Sequence, residues 1–213
     1  MKFLSRFLLA SALAFATSTA VAQPITDAHR IVGFRSAHFG MDAAQVRSAI
    51  AQDFKPVPDS MRMLSNPAEN TEILVMRVAK LEPGPGPASI SYIFGAKSKR
   101  LMHVNVVWQT EEKPSDEARN QIAAASLQLA NYFRELSWMP GASASGLPNG
   151  GNGVVLFVGS DPNNAGVEVR VSGVATYGAG SASVKPEGAA QLVLSYVADI
   201  KNPDIAAIKP GAF

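Results

Sequence analysis

Alternation of apolar and polar residues is the feature that limits the fold of this sequence most strongly. From Ala88 to Phe94 every second residue is apolar or aromatic, with Ser89 and Ser91 between them. Leu101 to Trp108 and Val167 to Val171 alternate in the same way. Because successive side chains of a strand point to opposite faces, this pattern predicts strands with one buried and one polar face. Such strands are typical of an antiparallel sheet that is covered on one side.

The sequence contains two helix starts, one before the first three predicted strands and one before the last three. Asp42, with Gln45 three residues later, has the spacing of a capping box, and Ser115 precedes two acidic residues and a long apolar stripe of helical period. Three strand-like segments follow each start. They are Ile73 to Ala79, Ala88 to Phe94, Leu101 to Trp108, Gly153 to Val158, Val167 to Val171 and Leu192 to Ala198.

This order predicts an α+β fold of two successive units, each a helix followed by three antiparallel strands. The helices are expected to pack on one face of the sheet. The pattern resembles an internal duplication, with half-repeats at 34–110 and 114–200, although the two halves show no convincing identity. Residues 23–213 are expected to form a single domain.

The first 22 residues have the pattern of a cleavable secretion signal. Lys2 and Arg6 precede the apolar stretch from Phe7 to Ala16, and small residues then lead to Ala20-Val21-Ala22. This arrangement predicts cleavage between Ala22 and Gln23. The mature protein is therefore expected in the periplasm or outside the cell.

Charge and cysteine content exclude several function classes. Without Lys2 and Arg6, the 19 basic residues become 17, which balance the 17 acidic residues. A neutral chain has no long-range attraction for nucleic acid, so nucleic-acid binding is not expected. The chain has no cysteine, which removes thiol catalysis and thiolate metal sites. After the signal, no apolar stretch is long enough to predict a transmembrane segment.

The opening of the first helix carries a resemblance. An apolar residue, Gly and Met precede the capping residue in Phe39 to Asp42, and Val46 and Ile50 follow at helical spacing. Over about 15 residues this resembles the BamE/SmpA-like outer-membrane assembly lipoproteins and the β-lactamase-inhibitor-like fold. The resemblance implies tandem helix-plus-sheet units, an envelope compartment and a protein-binding role. It carries over no functional residue, and the chain lacks the cysteine that the lipoproteins modify.

Candidate binding residues lie on the polar face of the predicted sheet. Arg77, His103 and Asn105 are expected there with Ser89 and Ser91, and Glu168, Arg170, Gln191 and Ser195 extend the set. His103 is the candidate general base of this group. The alternative is a plain solvated face, which every one-sided sheet has.

Two further candidates lie in loops. Trp138, after the second helix, either presents an aromatic side chain to a partner or packs over the helix end. Tyr177 lies in the long Gly- and Ser-rich connection 176–189, and a similar loop spans 141–153. Long loops in compact domains are either functional or without fixed structure.

No motif predicts a cofactor or a metal site. His29, His38 and His103 are not at ligand spacing, and Asp161-Pro162-Asn163-Asn164 is predicted to be a turn. The serines near glycine do not match a nucleophile elbow. We therefore expect a non-catalytic binding protein whose unidentified partner is a protein. The alternatives are an envelope hydrolase built around His103 and a carrier with an apolar pocket between sheet and helices.

Overall fold

The computed structural model describes residues 28–55, 60–150, 153–175 and 186–206. The predicted signal sequence, Tyr177 and most of the loop 176–189 lie outside the described residues. Within the described part, two helices accompany a large antiparallel sheet, α1 (Ala43–Asp53) and α2 (Asp116–Arg134). The strands are β1 (Gly33–Phe34), β2 (Ala37–His38), β3 (Met61–Asn66), β4 (Thr71–Val78), β5 (Ala88–Phe94), β6 (Leu101–Gln109), β7 (Ser143–Ala144), β8 (Leu147–Pro148), β9 (Val154–Ser160), β10 (Gly166–Ser172) and β11 (Gln191–Val197).

One nine-stranded sheet contains every strand except the small β1–β2 hairpin. Its order is β3-β4-β5-β6-β11-β10-β9-β7, and β8 also pairs with β9. All of these pairings are antiparallel. The prediction of a predominantly antiparallel sheet is confirmed. The last strand of the chain, β11, pairs with β6 in the middle of the sheet.

The prediction of two successive helix-plus-three-strand units is wrong. Four long strands, β3 to β6, follow α1, and the short strands β7 and β8 come between α2 and β9. Since β6 pairs with β11, strands of 34–110 and 114–200 belong to one sheet and do not form separate half-repeats. Strand β3 was not predicted. It is an edge strand that is exposed on both faces, so its sequence does not need to alternate between apolar and polar residues. Strands of two residues, such as β7 and β8, are too short to show a period.

Both helices begin as their sequences predict. The Asp42 carboxylate accepts a hydrogen bond from the Gln45 amide, and the Gln45 side chain accepts one from the Asp42 amide, each at 3.0 Å. The Ser115 hydroxyl accepts a hydrogen bond from the Ala118 amide at 3.1 Å. These bonds satisfy amides that have no partner within the helix, which fixes where each helix starts.

The core lies between the helices and one face of the sheet. Val46 and Ile50 of α1 and Ile122 and Phe133 of α2 are buried there. The sheet contributes the apolar set of each alternating strand to this face, including Leu74, Ile90, Tyr92, Val104, Val106, Trp108, Phe157, Val169, Leu192 and Leu194. The remaining side chains of these strands point to the opposite side, which we call the second face. No helix or strand of the described residues packs on the second face.

Candidate functional site

Four polar side chains form a continuous row across the centre of the second face. Asn105 of β6 lies opposite Ser91 of β5 on one side and opposite Ser195 of β11 on the other. Glu168 of β10 lies opposite Ser195. We call Ser91, Asn105, Ser195 and Glu168 the polar row. The prediction that these residues share the face opposite the helices agrees with the register of the strands.

Side-chain interactions engage three of the four residues of the polar row, Asn105, Ser195 and Glu168. The Ser195 hydroxyl donates a hydrogen bond to the Asn105 side-chain oxygen, and Ser195 itself is buried. The Glu168 carboxylate lies 2.8 Å from Arg170 Nε on the same strand. Both members of this ion pair are about one-third exposed, so solvent screens their attraction. The row is therefore held in place mainly by its neighbours, and little charge is left uncompensated.

His103 lies next to the row, opposite Ile93 on β5 and Val197 on β11. Its Nε2 atom is buried and has no hydrogen-bond partner among the described residues. Burial lowers the pKa of His103 below the usual histidine value, and the nearby Arg170 lowers it further. Asn105 and Glu69 oppose this shift. The balance favours the neutral imidazole at neutral pH.

Two depressions meet at His103 and Val197. The first has a volume of about 310 Å³. Its polar lining is Ser160, Glu168, Arg170 and Ser195, together with His103. The second has a volume of about 260 Å³ and extends toward Glu69, Asp199 and Asp204. The two depressions join the polar row to the end of the sheet where the C-terminal segment passes.

The C-terminal segment, residues 198–206, forms the rim of both depressions. Backbone amides attach it to three parts of the fold: Ala198 donates to Met102, Ile200 to Asn164 and Ala206 to Glu69, at distances of 2.8 to 3.0 Å. The Ile200 side chain packs on Gly166, where a Cβ atom would lie 2.5 Å from Ile200 Cγ2. Glycine at this position therefore lets the segment lie close to the sheet.

Asp204 attaches the same segment to the turn between β5 and β6. Its carboxylate accepts hydrogen bonds from the Lys97 and Ser98 amides at 3.1 and 2.8 Å. Hydrogen bonds from Ser98, and then from Lys97, lower the pKa of Asp204. The charged carboxylate is thus the form that stabilises the rim.

Aliphatic side chains surround the polar row. Ile73 and Val75 of β4, Ile93 of β5, Val107 of β6 and Val197 of β11 are all only partly buried on the second face. We call these five residues the aliphatic surround. A partner that covered them would remove apolar surface from water, at about 25 cal/mol for each Å².

Three of the five predicted binding residues do not join this site. Arg77 lies on the second face, but it is opposite Ser89 near the other end of β4 and is exposed. Trp138 packs over the helix end: its Nε1 donates to the Phe133 carbonyl at 2.6 Å, and its ring lies 5.4 Å from that of Phe157. Tyr177 lies outside the described residues. Only His103 and Asn105 are neighbours at the site.

Sequence reasoning missed the rim. Ile200, Asp204 and Glu69 border the depressions, yet the sequence shows no motif around them. The one available signal was Asp199-Ile200 directly after a predicted strand, which places a polar and a large apolar side chain at a strand end.

The described residues include no cluster of three or more His, Asp or Glu side chains that could hold a metal ion. Neither described helix is long and apolar enough to cross a membrane. Comparison of the chain with models of protein families, with curated proteins and with solved structures finds no match. The resemblance at Phe39 to Ile50 therefore stays a prediction.

Proposed function

We propose that this protein is an exported, non-catalytic binding protein that holds a partner protein against the second face of its sheet. One observation carries the proposal: the aliphatic surround borders the polar row on every side except that of Glu168, on a face that no described helix or strand covers. Exposed apolar side chains that adjoin polar groups on an uncovered face mark a protein interaction site. The partner would bury the aliphatic side chains and form hydrogen bonds with the polar row.

Export rests on the sequence. The basic start, the apolar stretch and the Ala20-Val21-Ala22 pattern support cleavage before Gln23 and a periplasmic or secreted location. Replacement of Ala22 with Phe should block cleavage, because the position before the cut needs a small residue. Fractionation of cells that produce the tagged chain should find the wild-type protein shortened and outside the cytoplasm. An uncleaved cytoplasmic wild-type protein would contradict this part of the proposal.

The site geometry gives no support to the hydrolase alternative. A Ser–His pair needs the base within hydrogen-bond reach of the nucleophile. Ser195 instead donates to Asn105, and His103 Nε2 has no partner in the described part of the chain. The arrangement offers a neutral imidazole without an activated hydroxyl.

Position-specific crosslinking in cells tests the proposed binding face. A photoreactive amino acid at Val107, in the aliphatic surround, should give a defined adduct with a second protein. The same amino acid at Tyr132, which is 57% exposed on α2, is the matched control on the helical side. Equal adducts at both positions, or none at Val107, would contradict binding through the second face.

A second candidate function, carriage of a small ligand, has one specific observation in its favour. A depression of about 320 Å³ lies between α2 and strands β9 and β10, with a mostly apolar lining that includes Leu127, Leu156 and Val171. This is the type of pocket that the carrier alternative requires. Native mass spectrometry of the purified protein would show a defined extra mass if a ligand is retained. Replacement of Leu156 with Trp should fill the pocket and remove that mass.

A further inference from the structure

The two edges of the nine-stranded sheet differ in how they are protected. At one edge, the short strands β7 and β8 both pair with β9 and cover much of its outer side. At the other edge, β3 pairs with β4 through all six of its residues, without a bulge. No other backbone hydrogen bond among the described residues involves β3. Its outer edge is therefore free in this part of the structure.

Strand β3 carries only one of the devices that natural proteins use to block an edge, a single charged side chain. These devices include charged side chains, proline within the strand, bulges and a covering loop. Arg62 is its only charged residue, and β3 contains no proline. Met63 is 41% exposed and Leu64 is 50% exposed. An edge with these properties favours the addition of another strand.

We propose that β3 pairs with β3 of a second copy of this chain, antiparallel about a two-fold axis, with Leu64 opposite its counterpart. Residues directly opposite each other in a sheet point to the same face. In this register the Leu64 side chains of both copies therefore lie on the second face of the joined sheet. It places Arg62 opposite Asn66 of the second copy and Met63 opposite Ser65. No like charges meet in this register, so the strand is complementary to itself.

The second face supports the same register. Leu64 lies opposite Ile73, and Ile73 lies opposite Ile93, so these three side chains form an apolar row that ends at the free edge. Pairing at Leu64 joins this row to the equivalent row of the second copy. The contact removes the exposed end of the row from water, which stabilises the pair.

The topology also predicts that assembly stops at two copies. The described part of each chain has one free long edge, and a two-fold contact uses the same edge of both partners. The outer edges of the resulting sheet are then the β9 edges, which β7 and β8 cover. In this register five residues of each strand pair, which is small for a protein interface, so the dimer should form reversibly and depend on concentration. The inference does not depend on the proposed partner protein.

Sedimentation of the purified full chain tests the pairing. The mass should rise from one copy toward two as concentration increases. Leu64→Lys places two ammonium groups opposite each other and should raise the dissociation constant about fivefold or more. Leu147→Lys, at a 43% exposed residue of the covered edge, is the matched control and should dimerise like wild type. Because both positions are exposed, both variants should keep the wild-type circular dichroism and, at concentrations at which wild type is monomeric, the wild-type melting temperature.

A charge swap separates self-pairing from the binding of some other strand. Leu64→Glu mixed with Leu64→Lys should restore a dimer that contains one copy of each, since opposite charges then face each other. A chain that stays monomeric at every concentration would overturn the proposal. A dimer that Leu64→Lys leaves unchanged, or a mixture that stays monomeric, would overturn it as well. If β3 instead bound a strand of another protein, the purified chain would stay monomeric, and a complex with that other protein would be found.

Discussion

Ser195 and Asn105 face each other on β11 and β6, the two strands at which the later part of the sheet joins the earlier part, and the serine hydroxyl donates to the asparagine side chain. The two residues are 90 positions apart in the chain. Their hydrogen bond is therefore a long-range contact at the centre of the second face. It joins the side chains of the central strand pair within the candidate site.

Loss of this hydrogen bond should reduce stability measurably. We expect Ser195→Ala and Asn105→Ala each to lower the free energy of unfolding by about 1 kcal/mol, because each leaves the other group without its partner. The double variant should cost less than the sum of the two. Urea denaturation of all four proteins measures the coupling. Ser89→Ala, on the same face, is the control because it removes a hydroxyl that has no side-chain hydrogen bond in the described residues. Additive losses at 105 and 195 would contradict the prediction.

His103 should make stability depend on pH. Burial lowers the pKa of His103, so the unfolded chain takes up a proton at a higher pH than the folded chain does. The stabilisation from neutral His103 is complete above the usual histidine pKa of 6.5 and is lost as the pH falls below it toward the folded pKa. The free energy of unfolding of wild type should therefore drop more steeply from about pH 7.5 to about pH 5 than that of His103→Gln.

Comparison of His103→Gln with wild type at the same pH values isolates the contribution of this one side chain. If His103→Gln showed the same slope as wild type, the surroundings would not favour the neutral ring, and Glu69 and Asn105 would fully offset the effects of burial and Arg170 on the pKa of His103.

Local patterns in the sequence predicted most of the elements that line the site. The capping box at Asp42 and the cap at Ser115 located both helices, since a cap is a contact between residues three positions apart. The alternation from Ala88 to Phe94 predicted β5 with its observed bounds and placed Ser91 on the second face. These features depend only on neighbouring residues, which a sequence displays directly.

Non-local contacts were beyond the reach of the same reasoning. Strands β6 and β11 are far apart in the chain, and no motif in either strand indicates that they pair. Asp204 accepts from amides at 97 and 98, and nothing around it indicates this role. Edge strand β3 buries little on either face, so its sequence carries no period. The error in the fold class and the missed rim both follow from this lack of local signal.

Asp161 should be essential to the turn between β9 and β10. Its buried carboxylate accepts hydrogen bonds from the Ile31, Asn163 and Ala165 amides at 3.1, 2.7 and 3.0 Å. Asp161→Ala leaves three amides without an acceptor, and we expect a loss of about 2–3 kcal/mol in the free energy of unfolding. Asp161→Asn keeps one acceptor oxygen and should lose less.

The neighbouring Asn163 is the control for this turn. Its side chain is exposed, and Asn163→Ala should change the free energy of unfolding by less than about 0.5 kcal/mol. Hydrogen exchange of the Ile31 amide gives a second measurement, since this amide should lose protection in Asp161→Ala. Unchanged protection at Ile31 would show that the N-terminal segment is held by other contacts.

Gly84 and Trp108 form a close contact that should tolerate no added atom. A Cβ atom at 84 would overlap Trp108 Nε1, and that nitrogen donates to the Leu81 carbonyl at 2.8 Å. Trp108 is almost completely buried in the core, so the ring has little room to move away. Gly84→Ala should therefore displace the loop, weaken the indole hydrogen bond and lower the free energy of unfolding by about 1–3 kcal/mol.

A double-mutant cycle distinguishes this contact from a general effect on the loop. Trp108→Phe removes the indole nitrogen, which is the nearest atom to the new methyl group, and makes the ring smaller, so Gly84→Ala should cost less in that background than in wild type. Pro85→Ala, at the exposed neighbouring position, should change stability by less than about 1 kcal/mol. Equal costs of Gly84→Ala in both backgrounds would mean that the penalty comes from the loop backbone and not from the indole. The smaller cost expected in the Trp108→Phe background would establish that the tryptophan ring is what requires glycine at position 84.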